Sequence, residues 1–256
     1  MTPNVVVDVG NTRIKWGLCG AGGVLRTASL ADDPDEWDRQ LAAWPLDGNE
    51  WVLAGVQPRR GERLRDWLEA REQKVVVLAG AANLPLDVNL EHPDRAGIDR
   101  LLNAVAAKAR LAPGRGAVLM DAGSAVTADW LDESHTFQGG CIFPGLDLMA
   151  EALHRYTALL PRVAVTPPVP ALPGKSTVPA MQAGLFLAVS GGIREAVRLY
   201  SERATAPPQV FFTGGQAPLL AEAMRIPASW TVWPEQTLFG ILLAAEELPW
   251  AISSRS

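Results

Sequence analysis

Val5-Val6-Val7-Asp8-Val9-Gly10-Asn11-Thr12-Arg13-Ile14-Lys15-Trp16 opens the chain with an apolar run that breaks on one acid and a turn of small residues. Consecutive β-branched residues predict a strand buried on both faces. Ile14, Trp16 and Leu18 then alternate, as the return strand of a hairpin does. Gly10-Asn11-Thr12 leaves backbone N–H groups and a hydroxyl free to approach a phosphate, because no bulky side chain blocks the way. Asp8, at the strand end, is placed to hold a divalent cation through oxygen ligands. Taken alone, the same residues also describe an ordinary hairpin with Asp8 solvated.

A second copy strengthens the phosphate reading. Ala117-Val118-Leu119-Met120-Asp121-Ala122-Gly123-Ser124-Ala125-Val126-Thr127 repeats the order of apolar strand, Asp, one residue, Gly, small polar residue and new strand. Such a pair is a short internal repeat. If each copy begins one half of the protein, the two loops can face each other across a cleft and grip a polyphosphate from both sides. A third segment, Gln209-Val210-Phe211-Phe212-Thr213-Gly214-Gly215, stops an apolar strand on glycines, against which a flat adenine ring can lie.

The 256 residues are 48% apolar and 20% charged, the balance of an ordinary globular protein with ample core. A formal charge of −5 argues against nucleic acid or an anionic membrane as the main partner. No basic leader precedes an apolar core, and no apolar run reaches spanning length, so a cytoplasmic location is expected. Cys19 and Cys141 lie in apolar segments and read as buried thiols rather than a disulfide. The nine Trp fall mostly at helical or strand core positions and read as core. His92, His135 and His154 lack metal-ligand spacing. Gly174-Lys175-Ser176 ends like a P-loop, but Val169 stands where its first glycine belongs and no apolar strand precedes it.

Strand triplets followed by helices occur twice, with Pro113-Gly114 closing the first set. The expected architecture is α/β, two ribonuclease-H-like (actin-like ATPase) domains around a central cleft, spanning 1–115 and 116–256. A final helix is expected from Pro234 to Glu247, within the second half.

Asp-x-Gly-Asn-Thr, Asp-x-Gly-Ser-Ala-x-Thr and Thr-Gly-Gly, in that order, resemble the two phosphate motifs and the adenosine motif of the acetate kinase/sugar kinase/Hsp70/actin superfamily. Gly97-Ile98-Asp99-Arg100, Gly139-Gly140-Cys141-Ile142-Phe143-Pro144-Gly145 and Thr157-Ala158-Leu159-Leu160-Pro161 narrow the resemblance to the type III pantothenate kinases, over nearly the whole chain. The resemblance implies ATP-dependent phosphorylation of pantothenate to 4′-phosphopantothenate, the first step towards coenzyme A, by a homodimer. It places ATP phosphates on Asp8, Val9, Gly10, Asn11, Thr12, Arg13, Ile14, Lys15 and Ser124, with Mg²⁺ at Asp8. It places a monovalent cation, K⁺ or NH₄⁺, at Asp121. Pantothenate falls to Gly97, Ile98, Asp99, Arg100 and Thr177, with Asp99 as the base and Thr177 reaching across the dimer interface. Asp99, just ahead of an apolar helix stripe, also fits a helix N-terminal cap, where the helix dipole lowers a carboxyl pKa.

Two positions depart from the family pattern. Ser124 stands where Thr is usual and keeps the hydroxyl; Leu90 stands where a substrate-contacting Tyr is frequent. The competing readings are another small-molecule kinase of the superfamily and a catalytically weak accessory or regulatory relative.

Overall fold

The computed structural model describes residues 3–247 apart from 45, 47, 167 and 169–171. Val169, Trp250 and part of the proline-rich stretch from Arg162 to Pro173 therefore lie outside the described residues. The chain forms two compact units, Met1–Arg110 together with the segment from Glu235, and Leu111–Pro234.

The first unit contains β1 (Val5–Val9), β2 (Ile14–Gly20), β3 (Gly23–Leu30), α1 (Pro34–Ala43), β4 (Glu50–Gly55), α2 (Pro58–Glu69), β5 (Lys74–Val77), a two-residue strand β6 (Asp87–Val88) and α3 (Ile98–Lys108). The second contains β7 (Ala117–Ala122), β8 (Ala125–Leu131), β9 (Thr136–Pro144), α4 (Leu146–Tyr156), α5 (Thr177–Arg203), β10 (Gln209–Thr213), α6 (Ala217–Met224) and β11 (Trp230–Val232). The last helix, α7 (Gln236–Glu246), belongs to the first unit.

The internal repeat is a repeat of topology. In the first unit the sheet order is β3-β2-β1-β4-β5; in the second, β9-β8-β7-β10-β11. In both, the opening strand pairs antiparallel with the next and parallel with the fourth. The fifth strand runs parallel to the fourth. Each acidic glycine turn thus lies at the C-terminal end of a central strand, where the chain leaves for one neighbour while the other neighbour comes from a later crossover. Such switch points are where open α/β sheets bind ligands.

Burial explains the valine run. Val5, Val7 and Val9 pack with Trp16, Leu53 and the α1/α2 side chains Trp37, Leu64 and Leu68. Val6, on the opposite face, is also fully buried. Gly17 makes room there: a Cβ on it would lie 3.0 Å from Val6 and 3.3 Å from Leu238 of α7. In the second unit, Val118, Met120 and Ala122 of β7 turn towards α4, α5 and α6. Leu119 and Asp121 consequently occupy the other face.

Trp16, Trp37, Trp44, Trp51, Trp130 and Trp233 are buried and Trp67 and Trp230 half-buried, so the described indoles are core. Asp33 caps α1 as its Asp-Pro signal implies, its carboxylate accepting from the Asp35 amide at 3.1 Å. Cys19 is partly buried, and burial raises its pKa to about 12. Cys141 is exposed, which corrects the expectation of two buried thiols. The apolar run around it occupies the last residues of β9, where Gly140, Cys141, Ile142 and Pro144 are exposed. Helix α7 is the other difference. Its apolar stripe predicts burial, but periodicity does not say which sheet receives it. Among the described residues no helix is long and apolar enough to cross a membrane.

Candidate functional site

In the first unit, Asp8 is the penultimate residue of β1, directly opposite Lys15 on β2 and Ala54 on β4. Cross-strand partners share a face, so the carboxylate and the ammonium stand side by side. The turn between them is tight. The Gly10 amide donates to the Arg13 carbonyl at 3.1 Å, and a Cβ on Gly10 would lie 3.0 Å from that oxygen. Asn11, Thr12 and Arg13 are exposed, Val9 and Ile14 are buried, and Asp8 and Lys15 are half-buried. The predicted ATP segment therefore alternates anchoring apolar residues with presented polar ones.

Two arginines, one within the loop and one from α2, tie it to its surroundings. Arg13 donates through Nε to Ser29 Oγ at 3.3 Å and through Nη2 to the Ser29 carbonyl. Arg60, in the first turn of α2, donates to the Gly10 carbonyl at 3.2 Å and lies 3.7 Å from Asp32. Arg60 is absent from the sequence reading because fifty positions separate it from the loop and no motif marks it. Gly55, at the end of β4, lies against β1: a Cβ there would meet the Val9 carbonyl at 2.3 Å.

Gly97-Ile98-Asp99-Arg100 forms the start of α3 in the same unit, with Gly97 at the cap position and Asp99 within the first turn. Asp99 Oδ1 accepts from the Arg100 amide at 2.9 Å. The carboxylate folds back so closely that a Cβ on Gly97 would lie 2.7 Å from it. Burial raises the Asp99 pKa above the usual carboxylate value, outweighing the Arg100 amide and guanidinium, which lower it. This corrects the expectation that a helix N-terminus depresses the pKa. The side chain satisfies a first-turn amide, yet desolvation dominates its charge. Leu90, upstream, is half-buried.

In the second unit, Asp121 occupies the middle of a row across three strands. It is paired in register with Thr127 on β8 and with Thr213 on β10. All three side chains share one face of the sheet. The hydroxyls of Thr127 and Thr213 are both buried without a hydrogen-bond partner among the described residues, and Thr213 is only 1% exposed. Buried hydroxyls are ordinarily satisfied, so two orphans flanking one carboxylate form an oxygen-lined position. Sequence reading placed both threonines inside motifs but gave them no job; only strand register brings them beside Asp121.

Glycines close this loop in. Gly214 has φ +97°, and a Cβ on it would come within 2.4 Å of both the Ala122 carbonyl and Asp121 Oδ1. The Gly145 amide donates to the Ser124 carbonyl at 3.0 Å, and a Cβ on Gly145 would meet the Gly123 carbonyl at 2.4 Å. Ser124 is exposed at the tip. Among the described residues no three His, Cys, Asp or Glu side chains converge as a metal cage. Thr177 is the first residue of α5 and lines an apolar groove of about 740 Å³ with Leu148, Tyr156, Leu160 and Met181.

The comparisons agree with this anatomy. Of solved structures, one described as a Baf family transcriptional activator from Campylobacter jejuni matches with TM-score 0.61 and 19% identity, covering 95% of this chain and 98% of the other. Another, described as a 2-dehydro-3-deoxygalactonokinase protein from Sinorhizobium meliloti, matches with TM-score 0.58 and 16% identity, over 94% and 98%. At those identities they show the fold alone. A type III pantothenate kinase from Rhodospirillum rubrum is 36% identical over 93% of this chain and 96% of its own length. One from Paramagnetospirillum magneticum is 35% identical over 87% and 89%. The family model described as type III pantothenate kinase matches residues 4–199, a span that includes both acidic glycine turns and the Gly97–Arg100 motif. With the doubled sheet and the matched relatives, the chain belongs to the type III pantothenate kinase family.

Proposed function

We propose that this family member transfers the γ-phosphoryl group of ATP to the primary hydroxyl of pantothenate, giving 4′-phosphopantothenate, with Asp99 taking the hydroxyl proton. The observation that carries the reading is the environment of Asp99. Phosphoryl transfer depends mostly on positioning and charge neutralisation, with one group needed to orient or deprotonate the nucleophile. A carboxyl raised by burial is a better proton acceptor than a solvated one. Arg100, next in sequence, offers a guanidinium for polar groups of the same substrate. Gly97 and Ile98 shape the approach, and Thr177 is assigned a hydroxyl contact to pantothenate across the dimer interface.

On the nucleotide side, the turn from Asp8 to Lys15 presents Asn11 and Thr12 to the phosphates, with Lys15 supplying positive charge and Arg13, bonded to Ser29, bracing the turn. Ser124, exposed on the second turn, offers a further hydroxyl. Mg²⁺ typically keeps several waters and uses one or two carboxylates plus substrate phosphates. Asp8, which among the described residues belongs to no cluster of three His, Cys, Asp or Glu, suits that mode. Asp121 with the Thr127 and Thr213 hydroxyls suits K⁺ or NH₄⁺, because the donors are all oxygen and two have no other partner among the described residues. When bound, the cations would neutralise phosphate charge; holding and orienting the reactants remains the work of the side chains named.

We further propose that the protein works as a cytoplasmic homodimer. Leu148, Tyr156, Leu159, Val178 and Leu187 leave large apolar side chains exposed on and beside α4 and α5. Leu159 reaches 91% exposure, Leu148 and Tyr156 line one apolar groove, and exposed apolar surface of this kind marks an interface. The direct experiment is ADP release coupled to a colour change, with ATP, Mg²⁺ and potassium and a panel of acceptor alcohols. Turnover with pantothenate supports the reading. Turnover only with other alcohols makes the protein a different small-molecule kinase, and none with any acceptor makes it a non-catalytic relative.

A further inference from the structure

Helix α3, which carries Asp99 and Arg100, is buried along Ile98, Leu101, Leu102, Ala104, Val105, Ala106 and Ala107, and among these stands one amide, Asn103. Asn103 is 3% exposed. Asparagine is a poor helix former, and a buried amide is costly unless it is hydrogen-bonded. Its partners come from the first turn of α7, some 130 residues away. Thr237 Oγ1 donates to Asn103 Oδ1 at 2.8 Å, and Gln236 Nε2 donates to the Asn103 carbonyl at 2.9 Å. Gln236 is fully buried and Thr237 is 4% exposed. One turn further along α7, Gly240 sits on the α3 backbone: a Cβ there would lie 2.0 Å from the Leu102 carbonyl oxygen and 2.7 Å from its carbon.

These contacts constrain more than apolar packing does. Leu and Ala side chains tolerate sliding of one helix along another. A hydroxyl bonded to one amide oxygen and an amide bonded to one backbone carbonyl do not, because a shift strands all of them without water. Gln236 Oε1 is buried and has no partner among the described residues, so the arrangement carries a cost that favours geometry over stability. Asn103 is four residues beyond Asp99 and three beyond Arg100, on the same stripe one turn along the helix. Gly97, at the cap position of α3, has no side chain with which to cap the helix.

We propose that Asn103, Gln236 and Thr237, together with the close approach at Gly240, are positioning residues that fix the register and rotation of α3 and thereby hold Asp99 and Arg100 where the acceptor alcohol requires them. The inference deepens the reading of Asp99 as base and rests on it. Near-attack geometry is steep, with a displacement of about 1 Å costing up to about a hundredfold in rate.

The test uses the full-length protein with Thr237→Val, which keeps the shape and removes the donor, and Thr237→Ser, which restores it. Asp99→Asn is run alongside. We expect Thr237→Val to lower kcat/KM for pantothenate by about tenfold or more, while the dissociation constant of a non-hydrolysable ATP analogue, read by calorimetry, changes less than about twofold. Thr237→Ser should recover most of the loss. If Thr237→Val lowers Tm but leaves kcat and KM for pantothenate within about twofold, the pair is merely structural and the inference is overturned. Gly240→Ala, which drives the helices apart, is the second variant should Thr237→Val fold poorly; unchanged kinetics in the folded fraction also overturn it. Full turnover in Asp99→Asn would instead remove the base assignment itself, so the two failures are distinguishable.

Discussion

At Asp99 desolvation and local hydrogen bonding pull in opposite directions, and desolvation wins. The sign has two consequences. The folded protein holds this proton more tightly than the unfolded chain, whose carboxyl titrates near pH ~3.9. The residue's contribution to stability is therefore highest below that pH, falls through the window up to the raised pKa, and stays low above it. At neutral pH Asp99→Asn should leave Tm unchanged or higher, read by thermal melts, even though the substitution removes the base. The acid limb of kcat/KM for pantothenate should also lie above the ordinary carboxylate range, which a pH–rate profile checks. Thr213 makes the second residue-scale case. With its hydroxyl unpaired among the described residues and beside Asp121, Thr213→Val should fold normally but lose the rise in Tm that potassium gives over choline in wild type. An undiminished potassium effect in Thr213→Val would remove that hydroxyl from the cation site.

Among the elements, strands β1 and β7 were legible because three consecutive valines and the run Ala117–Met120 announce burial on both faces, and each stops on Asp-x-Gly. The hairpins followed from alternation. What could not be read was anything set by long-range register. Thr127 and Thr213 become neighbours of Asp121 only when β8 and β10 pair with β7, and Arg60 reaches Gly10 only because α2 follows β4. Cys141 misled because local hydrophobicity does not distinguish the buried start of β9 from its exposed end. The Thr-Gly-Gly turn after β10 gives a sharp test. Gly214→Ala places a methyl 2.4 Å from both the Ala122 carbonyl and Asp121 Oδ1, at a φ of +97°. Backbone strain alone costs roughly 1–3 kcal/mol. Urea unfolding should show at least that loss, and nucleotide affinity should fall with it.

For the whole molecule, the doubled 3-2-1-4-5 sheet order shows that the sequence repeat is a repeat of architecture, with α7 returned to the first unit after the second is complete. The apolar residues on α4 and α5 bear on assembly. Tyr156→Glu with Leu159→Glu, both highly exposed, should convert a dimer to a monomer by light scattering while leaving the circular dichroism spectrum unchanged. A dimer that survives would move the interface elsewhere. Most direct for the central claim is pantothenate-dependent ADP release measured side by side for wild type and Asp99→Asn, with the nucleotide dissociation constant determined for both. The account requires robust turnover in wild type, a drop of about a hundredfold or more in Asp99→Asn, and unchanged nucleotide affinity. Turnover in Asp99→Asn close to that of wild type would contradict it.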